Sequence, residues 1–263
     1  MRQLPAVFAE GGVHFPPSVE EFFLPGVGGQ PWISKITVLL WTGTALVILF
    51  FLIAYRNPKL VPTKSQWIAE SMYGFIRDGV ARQTIGSKEG LRFAPYLTSL
   101  FLFILVTNIW GVIPLAQISP NSPIAFPAFL GVLSWTMYNY IGIRKHGFLK
   151  YMKMNTMPAG APLWIMPLLI PMEFFSNLII RPITLAIRLF ANMFAGHLIL
   201  LVFTLGGFAL LGVNSVLLKP VSLVAWALAI ALTLFEAIIA LLQAYVFVIL
   251  TAAYLQGALA EEH

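Results

Sequence analysis

The chain contains no cysteine, which excludes disulfides, thiol nucleophiles and cysteine metal ligands. It is also poor in charge. Lys, Arg, Asp and Glu make up 10% of its 263 residues, against about 25% in a soluble domain. Hydrophobic residues make up 59% and mean hydropathy is +0.86, so the chain reads as an all-α polytopic membrane protein with one integral domain. The net charge of +6 does not point to nucleic acid, because the basic residues lie between apolar runs and form no single patch. There is no Walker loop, GxSxG elbow or paired-histidine metal spacing, so neither covalent chemistry nor a metal or cofactor is expected. A cleavable signal peptide is not expected either. Residues 1–10 lack a sustained apolar core, and Glu10, Glu20 and Glu21 follow.

Long uncharged runs are what the chain has in place of these. Ile36 to Ala54 has no charge and is long enough to cross ~30 Å of hydrocarbon. Pro62 to Arg92 interleaves charges with Trp67, Ile68, Met72, Phe75 and Ile76, the pattern of an amphipathic helix on a membrane surface. Phe93 to Ala116 is uncharged, Gln117 to Ala125 is a turn, and Phe126 to Ile143 is the next span. The expected helices are 36–55, 64–83 (amphipathic), 93–116, 126–143, 162–205 and 217–258, giving about five membrane-embedded helices plus one surface helix. Residues 1–35 are expected to form an extracytoplasmic segment and 36–263 the integral domain.

Loop charge sets the expected orientation. Arg56 to Arg92 carries seven basic and three acidic residues, Gln117 to Ala125 neither kind, and Arg144 to Lys153 four basic residues and no acidic one. Both basic loops therefore belong in the cytoplasm, with the N-terminus outside and Glu261, Glu262 and His263 inside. Pro220 to Ala260 holds one charge, Glu236, and no Pro or Gly cluster that could make a turn within it. A helix of that length is ~60 Å, twice the hydrocarbon thickness. The last two helices are accordingly expected to be long and strongly tilted, joined as a hairpin around Gly206-Gly207 to Asn214.

Arg188 lies in the apolar run PITLAIRLFANMFAGHLILLVFTLGG. A guanidinium cannot shed its charge by losing its proton, and placing one in hydrocarbon costs ~3 to ~17 kcal/mol. The ordinary explanation, snorkelling to the headgroups, fits poorly with an apolar run that continues far beyond it. The sharper reading is a permanent positive charge facing a protein partner or a wet cavity. Arg181, Thr184, Asn192 and Ala195 fall within roughly 40° of Arg188 around the helix, forming a small, polar stripe with Gly196 on its flank. His197 falls roughly opposite. On the last helix Glu236, Ala240, Gln243, Phe247 and Tyr254 share one face. His197 and Glu236, on adjacent antiparallel helices, could meet and relay protons; a static hydrogen bond is the plain alternative. Asn108 and Gln243 could join helices or line water.

At these residues the chain resembles the subunit a family of F-type ATP synthases, the stator half of the membrane proton channel. RPITLAIRLFANMFAGH and LFEAIIALLQAYVFVILTAAYLQGALAEEH carry the likeness, supported by FLFILVTNIWGVIPL, and it extends from about Asn57 to the C-terminus. The resemblance implies a stator with two aqueous half-channels and, as partners, a rotating ring of c subunits, b-type peripheral stalk subunits, other subunits of the complex and membrane lipid. It also implies a multi-pass protein of a bacterial plasma membrane that is not catalytic alone. Arg188 matches the family's essential arginine, which favours the ionised form of the rotor carboxylate facing it. Arg181, Thr184 and Ala195 then form the rotor-facing stripe, while His197, Glu236, Gln243, Glu173 and Asn192 match channel positions. In some members the carboxylate and histidine occupy exchanged helices, as expected of a pair acting together. Glu173 stands one residue farther from Arg188 than in the commoner spacing, and a one-residue bulge would restore its position.

A secondary ion transporter with Arg188 as an anion site is the main alternative. It calls for internal repeats with paired broken helices, and none is visible. A membrane enzyme calls for clustered acidic or histidine residues near an interface, which are also absent.

Overall fold

The computed structural model describes residues 34–113, 116, 118–157, 165–212 and 218–260, and among these every regular element is helical. The predicted N-terminal segment lies almost entirely outside the described residues. Helix α1, Lys35–Ala54, begins where the Ser34 side chain accepts a hydrogen bond from the Thr37 amide at 3.3 Å, an N-cap. Helix α2, Lys64–Ile76, is capped in the same way by Thr63.

The predicted amphipathic helix is not one smooth element. After α2 a π-turn spans Arg77–Ala81, followed by the short α3, Arg82–Ile85. Gln66, Ala69, Ile76, Val80 and Ala81 are buried along this segment, while Trp67 and Phe75 stay exposed. Asp78 bonds Arg77 on one side and Arg82 on the other. The Arg77 hydrogen bond, with both guanidinium charges, holds the Asp78 carboxyl below its ordinary range.

Gly86, at φ +110°, separates α3 from α4, a backbone conformation that side chains other than glycine's resist. Helix α4, Ser87–Ile109, starts six residues before the expected Phe93 and ends before the expected Ala116. The charged Lys88, Glu89 and Arg92 are part of it, because a helix can begin in the headgroup region before it reaches hydrocarbon. Helix α5, Ala125–His146, ends at Gly147 (φ +81°) and is followed by α6, Phe148–Thr156, an element the sequence reading did not anticipate.

Helix α7, Met166–Phe175, runs into a second π-turn at Ser176–Ile180 and then into α8, Arg181–Gly212. Pro182 explains the wide turn. Its ring would clash with a carbonyl in an ordinary α-helical turn, and one extra residue relieves the crowding. Helix α9, Lys219–Leu259, is continuous for 41 residues.

Helices α8 and α9 pack together as the predicted hairpin, but the stretch expected to hold its turn, Gly206-Gly207 to Asn214, is still helical through Gly212. Helix α8 continues through both glycines to Gly212, and the connection falls at 213–218. Gly207 serves packing instead. A Cβ there would lie 2.4 Å from Trp226 Nε1, and the Gly207 carbonyl accepts the Ser222 hydroxyl at 2.9 Å.

Among the described residues four helical runs are long and apolar enough to cross a membrane: Lys35–Ala54, Ser87–Ile109, Met166–Gly212 and Lys219–Leu259. The less apolar α5 packs on α8 and α9; Gly131 lets it approach, since a Cβ there would meet the Pro182 carbonyl at 2.9 Å. The core gathers Leu97, Phe101 and Ile104 of α4, Leu185 and Leu189 of α8, and Phe247, Val248 and Leu255 of α9. The chain is an all-α polytopic membrane protein.

Candidate functional site

Helix α8 divides its residues between two environments. Leu185, Leu189 and Met193 are each at most 2% exposed, whereas Thr184, Arg188 and Ala195 lie on the exposed side with Asn192 at its border. Arg188 has no hydrogen bond or ion pair among the described residues. A full positive charge is thus held in a 32-residue helix on a surface that the described residues leave uncovered. Arg181 behaves differently from the rest of the stripe. Its guanidinium sits 5.1 Å from the centre of the Tyr254 ring on α9, a cation–π contact.

The opposite face of α8 meets α9. His197 is 8% exposed and Glu236 5%. A Cβ on Gly196 would lie 2.9 Å from Glu236 Oε1, so the carboxyl takes this position in the space that glycine leaves where the helices cross. His197, the residue after Gly196, and Glu236 are both buried beside this crossing. Glu236 Oε2 has no hydrogen-bond partner among the described residues.

Two turns along α9, Gln243 Oε1 accepts from Asn192 Nδ2 at 2.7 Å. Asn192 is one turn beyond Arg188, so this polar bridge stands beside the exposed charge. Between Glu236 and Gln243, the Ala240 carbonyl accepts from Asn108 Nδ2 at 3.3 Å. Asn108 Oδ1 accepts from Asn121 Nδ2 at 2.8 Å, and the same amide reaches Thr107 Oγ1 at 2.8 Å. Asn108 therefore joins helices, tying α4 and the turn after it to the polar face of α9.

Glu173, on α7, accepts from Asn177 Nδ2 at 3.4 Å. Asn177 also donates to the Asn155 carbonyl at 2.7 Å and accepts through its own carbonyl from the Tyr138 hydroxyl at 3.3 Å. The π-turn at Ser176–Ile180 falls between Glu173 and Arg188. It supplies the one-residue bulge that the spacing of Glu173 calls for.

Two cavities lie at opposite ends of this arrangement. One, of ≈ 20 Å³, is lined by Tyr138, Asn139, Asn155, Asn177 and Arg181 among others, which is room for about one water. The other, of ≈ 510 Å³, is lined by His197, Thr204, Trp226 and Thr233 with apolar neighbours. Arg188 sits between them along α8, roughly 10 Å from Arg181 and roughly 14 Å from His197 by helical rise. Asn155, Asn177 and Tyr138 were not singled out from sequence. Only the Glu173–Asn177 spacing of four residues within an apolar run signalled any of them.

Residues 37–256 match the protein family described as ATP synthase A chain. A protein of a Nocardioides species named ATP synthase subunit a is 43% identical over 267 residues, covering 97% of this chain and 96% of its own length. Proteins of the same name from Frankia alni and a Parafrankia species are 45% and 47% identical, over 94% and 83% of this chain and 87% and 75% of their own lengths. With a family match across nearly the whole described fold and relatives this similar along most of their lengths, the chain belongs to the ATP synthase subunit a family, membrane subunits of the bacterial ATP synthase complex.

Proposed function

We propose that the chain is the stator of the proton channel, with Arg188 as the fixed charge that exchanges protons with carboxylates on a rotating c ring. The observation that carries this reading is the exposed Arg188, without a hydrogen bond or ion pair among the described residues, placed along α8 between two cavities. A rotor carboxylate arriving opposite the guanidinium is favoured in its ionised form and releases its proton. Rotation into lipid removes the cation and adds desolvation, so the carboxylate takes up a proton and keeps it. The same charge bars protons from passing directly between the half-channels. Each proton crossing the field is worth ~2.3 kcal/mol per 100 mV, so a leak at Arg188 would dissipate the gradient.

Thr184 and Ala195 keep the rotor-facing surface small beside Arg188. Arg181, held on Tyr254, borders that surface at its inner end. Gln243 and Asn192 present a hydrogen-bonded pair next to the charge. His197 and Glu236 form the proton path with the larger cavity, which opens outward in the orientation set by loop charge. Glu173 serves the smaller, inner cavity. In that orientation residues 1–35 lie outside, 36–263 form the integral domain, and the C-terminus is cytoplasmic. Confining the 41 residues of α9 to ~30 Å of hydrocarbon would tilt it by ~60° from the membrane normal. The c ring and b-type stalk subunits are the partners this arrangement needs.

The test is proton pumping by inverted vesicles carrying Arg188→Gln, with passive permeability recorded after the catalytic head is removed. Loss of ATP-driven pumping in a normally assembled complex, with a raised passive leak, is the expected result. Undiminished pumping would make the arginine structural and reject the mechanism.

A further inference from the structure

The bundle holds another cavity, of ≈ 580 Å³, that the proton path does not use. It lies between the start of α4, the end of α5 and the end of α9, and Glu89, Arg92, Tyr96, Arg144, Lys145 and Leu259 are among the residues lining it. Among the described residues its wall carries three cations and one carboxylate. Arg92 and Arg144 have no ion pair among the described residues, and Lys145 Nζ donates to the Leu259 carbonyl at 2.8 Å. The rest of the wall, including Phe93, Met137, Tyr140 and Ile141, is mostly apolar or aromatic.

Tyr96 lines a further space as well. On its other side an apolar crevice of ≈ 1050 Å³ runs between α1, α4 and α5, with Val47, Phe51, Leu100, Phe103, Leu130 and Leu133 on its walls. The numbering of α4 and α5 gives the direction. The basic cavity uses residues 89–96 and 137–145, and the crevice continues through 95–103 and 129–133, toward the bilayer midplane. A cationic recess that shares the Tyr96 wall with an apolar crevice farther along α4 and α5 matches the charged head and apolar tail of a phospholipid.

We propose that this paired site holds an anionic glycerophospholipid, its phosphate against Arg92 and Arg144 and an acyl chain in the crevice past Tyr96. Only the orientation in the membrane is taken from the functional reading, so failure of the Arg188 mechanism would leave this site standing. Basic pockets between transmembrane helices on the cytoplasmic side select anionic headgroups, and Lys145 links the recess to the end of the long helix α9.

The test uses the intact membrane complex containing this chain, purified and titrated with fluorescent phosphatidylglycerol or phosphatidylcholine. Phosphatidylglycerol should bind more tightly, weakening about fivefold with Arg92→Gln or Arg144→Gln and about thirtyfold with both. Lys64→Gln/Lys150→Gln, which removes as many exposed charges elsewhere, should leave binding unchanged. Leu133→Trp, which fills the crevice, should weaken lipid binding. If the double arginine variant fails to assemble, Arg144→Lys, expected to keep binding within a few-fold, and Leu133→Trp carry the test. Equal binding of the two lipids, or equal loss in the lysine control, would overturn the site. Complete displacement of the lipid by inorganic phosphate would assign the recess to free anions. Binding seen only after Glu261 and Glu262 are changed to glutamine would assign it to the chain's own carboxylates.

Discussion

Replacing Gly196 with alanine separates the proton-transfer role proposed for Glu236 from a structural one. The added Cβ would stand 2.9 Å from Glu236 Oε1, 3.3 Å from Cδ and 3.5 Å from Cγ. Ordinary contact begins near 3.4 Å, so the oxygen must retreat by 3.4 − 2.9 = 0.5 Å. The displaced atom is the free end of a side chain, and turning about its own torsions costs about 1 kcal/mol or less. Alanine in place of glycine within a helix returns ~1 kcal/mol. Assembly should therefore be unchanged. Proton transfer should not be, because placing reacting groups even 1 Å out of position can cost ~10²-fold in rate. Half that displacement, at a group whose Oε2 has no hydrogen bond among the described residues to hold it, should slow ATP-driven pumping about tenfold. The assay is acidification of inverted vesicles at matched complex content. Glu236→Asp draws the carboxyl back by one methylene and should be less harmful in the alanine background than alone, a non-additivity that marks direct contact. Wild-type pumping by Gly196→Ala, or simple additivity with Glu236→Asp, would refute a working carboxyl at this crossing.

Two other perturbations follow from the same hairpin. Deleting Leu178 should convert the π-turn at Ser176–Ile180 to ordinary helix and rotate Glu173 by ~100° relative to Arg188. Pumping should fall in a complex that still assembles, and unchanged pumping would exclude Glu173 from the channel. Gly207→Ala places a carbon 2.4 Å from Trp226 Nε1 and 2.6 Å from Cδ1, against a ring that cannot fold away. The overpacking should cost ~1–3 kcal/mol, read as a lower thermal midpoint of the complex and restored by Trp226→Leu.

The contrast between Gly196 and Gly207 shows which parts of this molecule could be read from its sequence. Hydrophobic runs and loop charge locate α1, α4, α5, α8 and α9 because the bilayer demands long apolar helices whatever their partners. Helical phase is local too, so the outward Arg188 and inward His197 follow from a nine-residue spacing. The bulge before Arg188 is suggested only by the family resemblance, in whose commoner spacing Glu173 would stand one residue nearer to Arg188, and the structure has a π-turn in that interval. A glycine pair in an apolar run is ambiguous, however, because glycine serves a turn and a close helix crossing equally well. Gly206-Gly207 suggested a turn, and the structure uses Gly207 to admit Trp226. Choosing between those uses requires knowing which side chain lies across the gap. The same limit hides the Asn108–Ala240 bond, the Arg181–Tyr254 contact and the basic recess of Arg92 and Arg144, each built from residues far apart in the chain. Charge and length show that a helix spans the membrane, whereas the Gly196–Glu236 crossing and the Arg92–Arg144 recess come from pairs that only packing brings together.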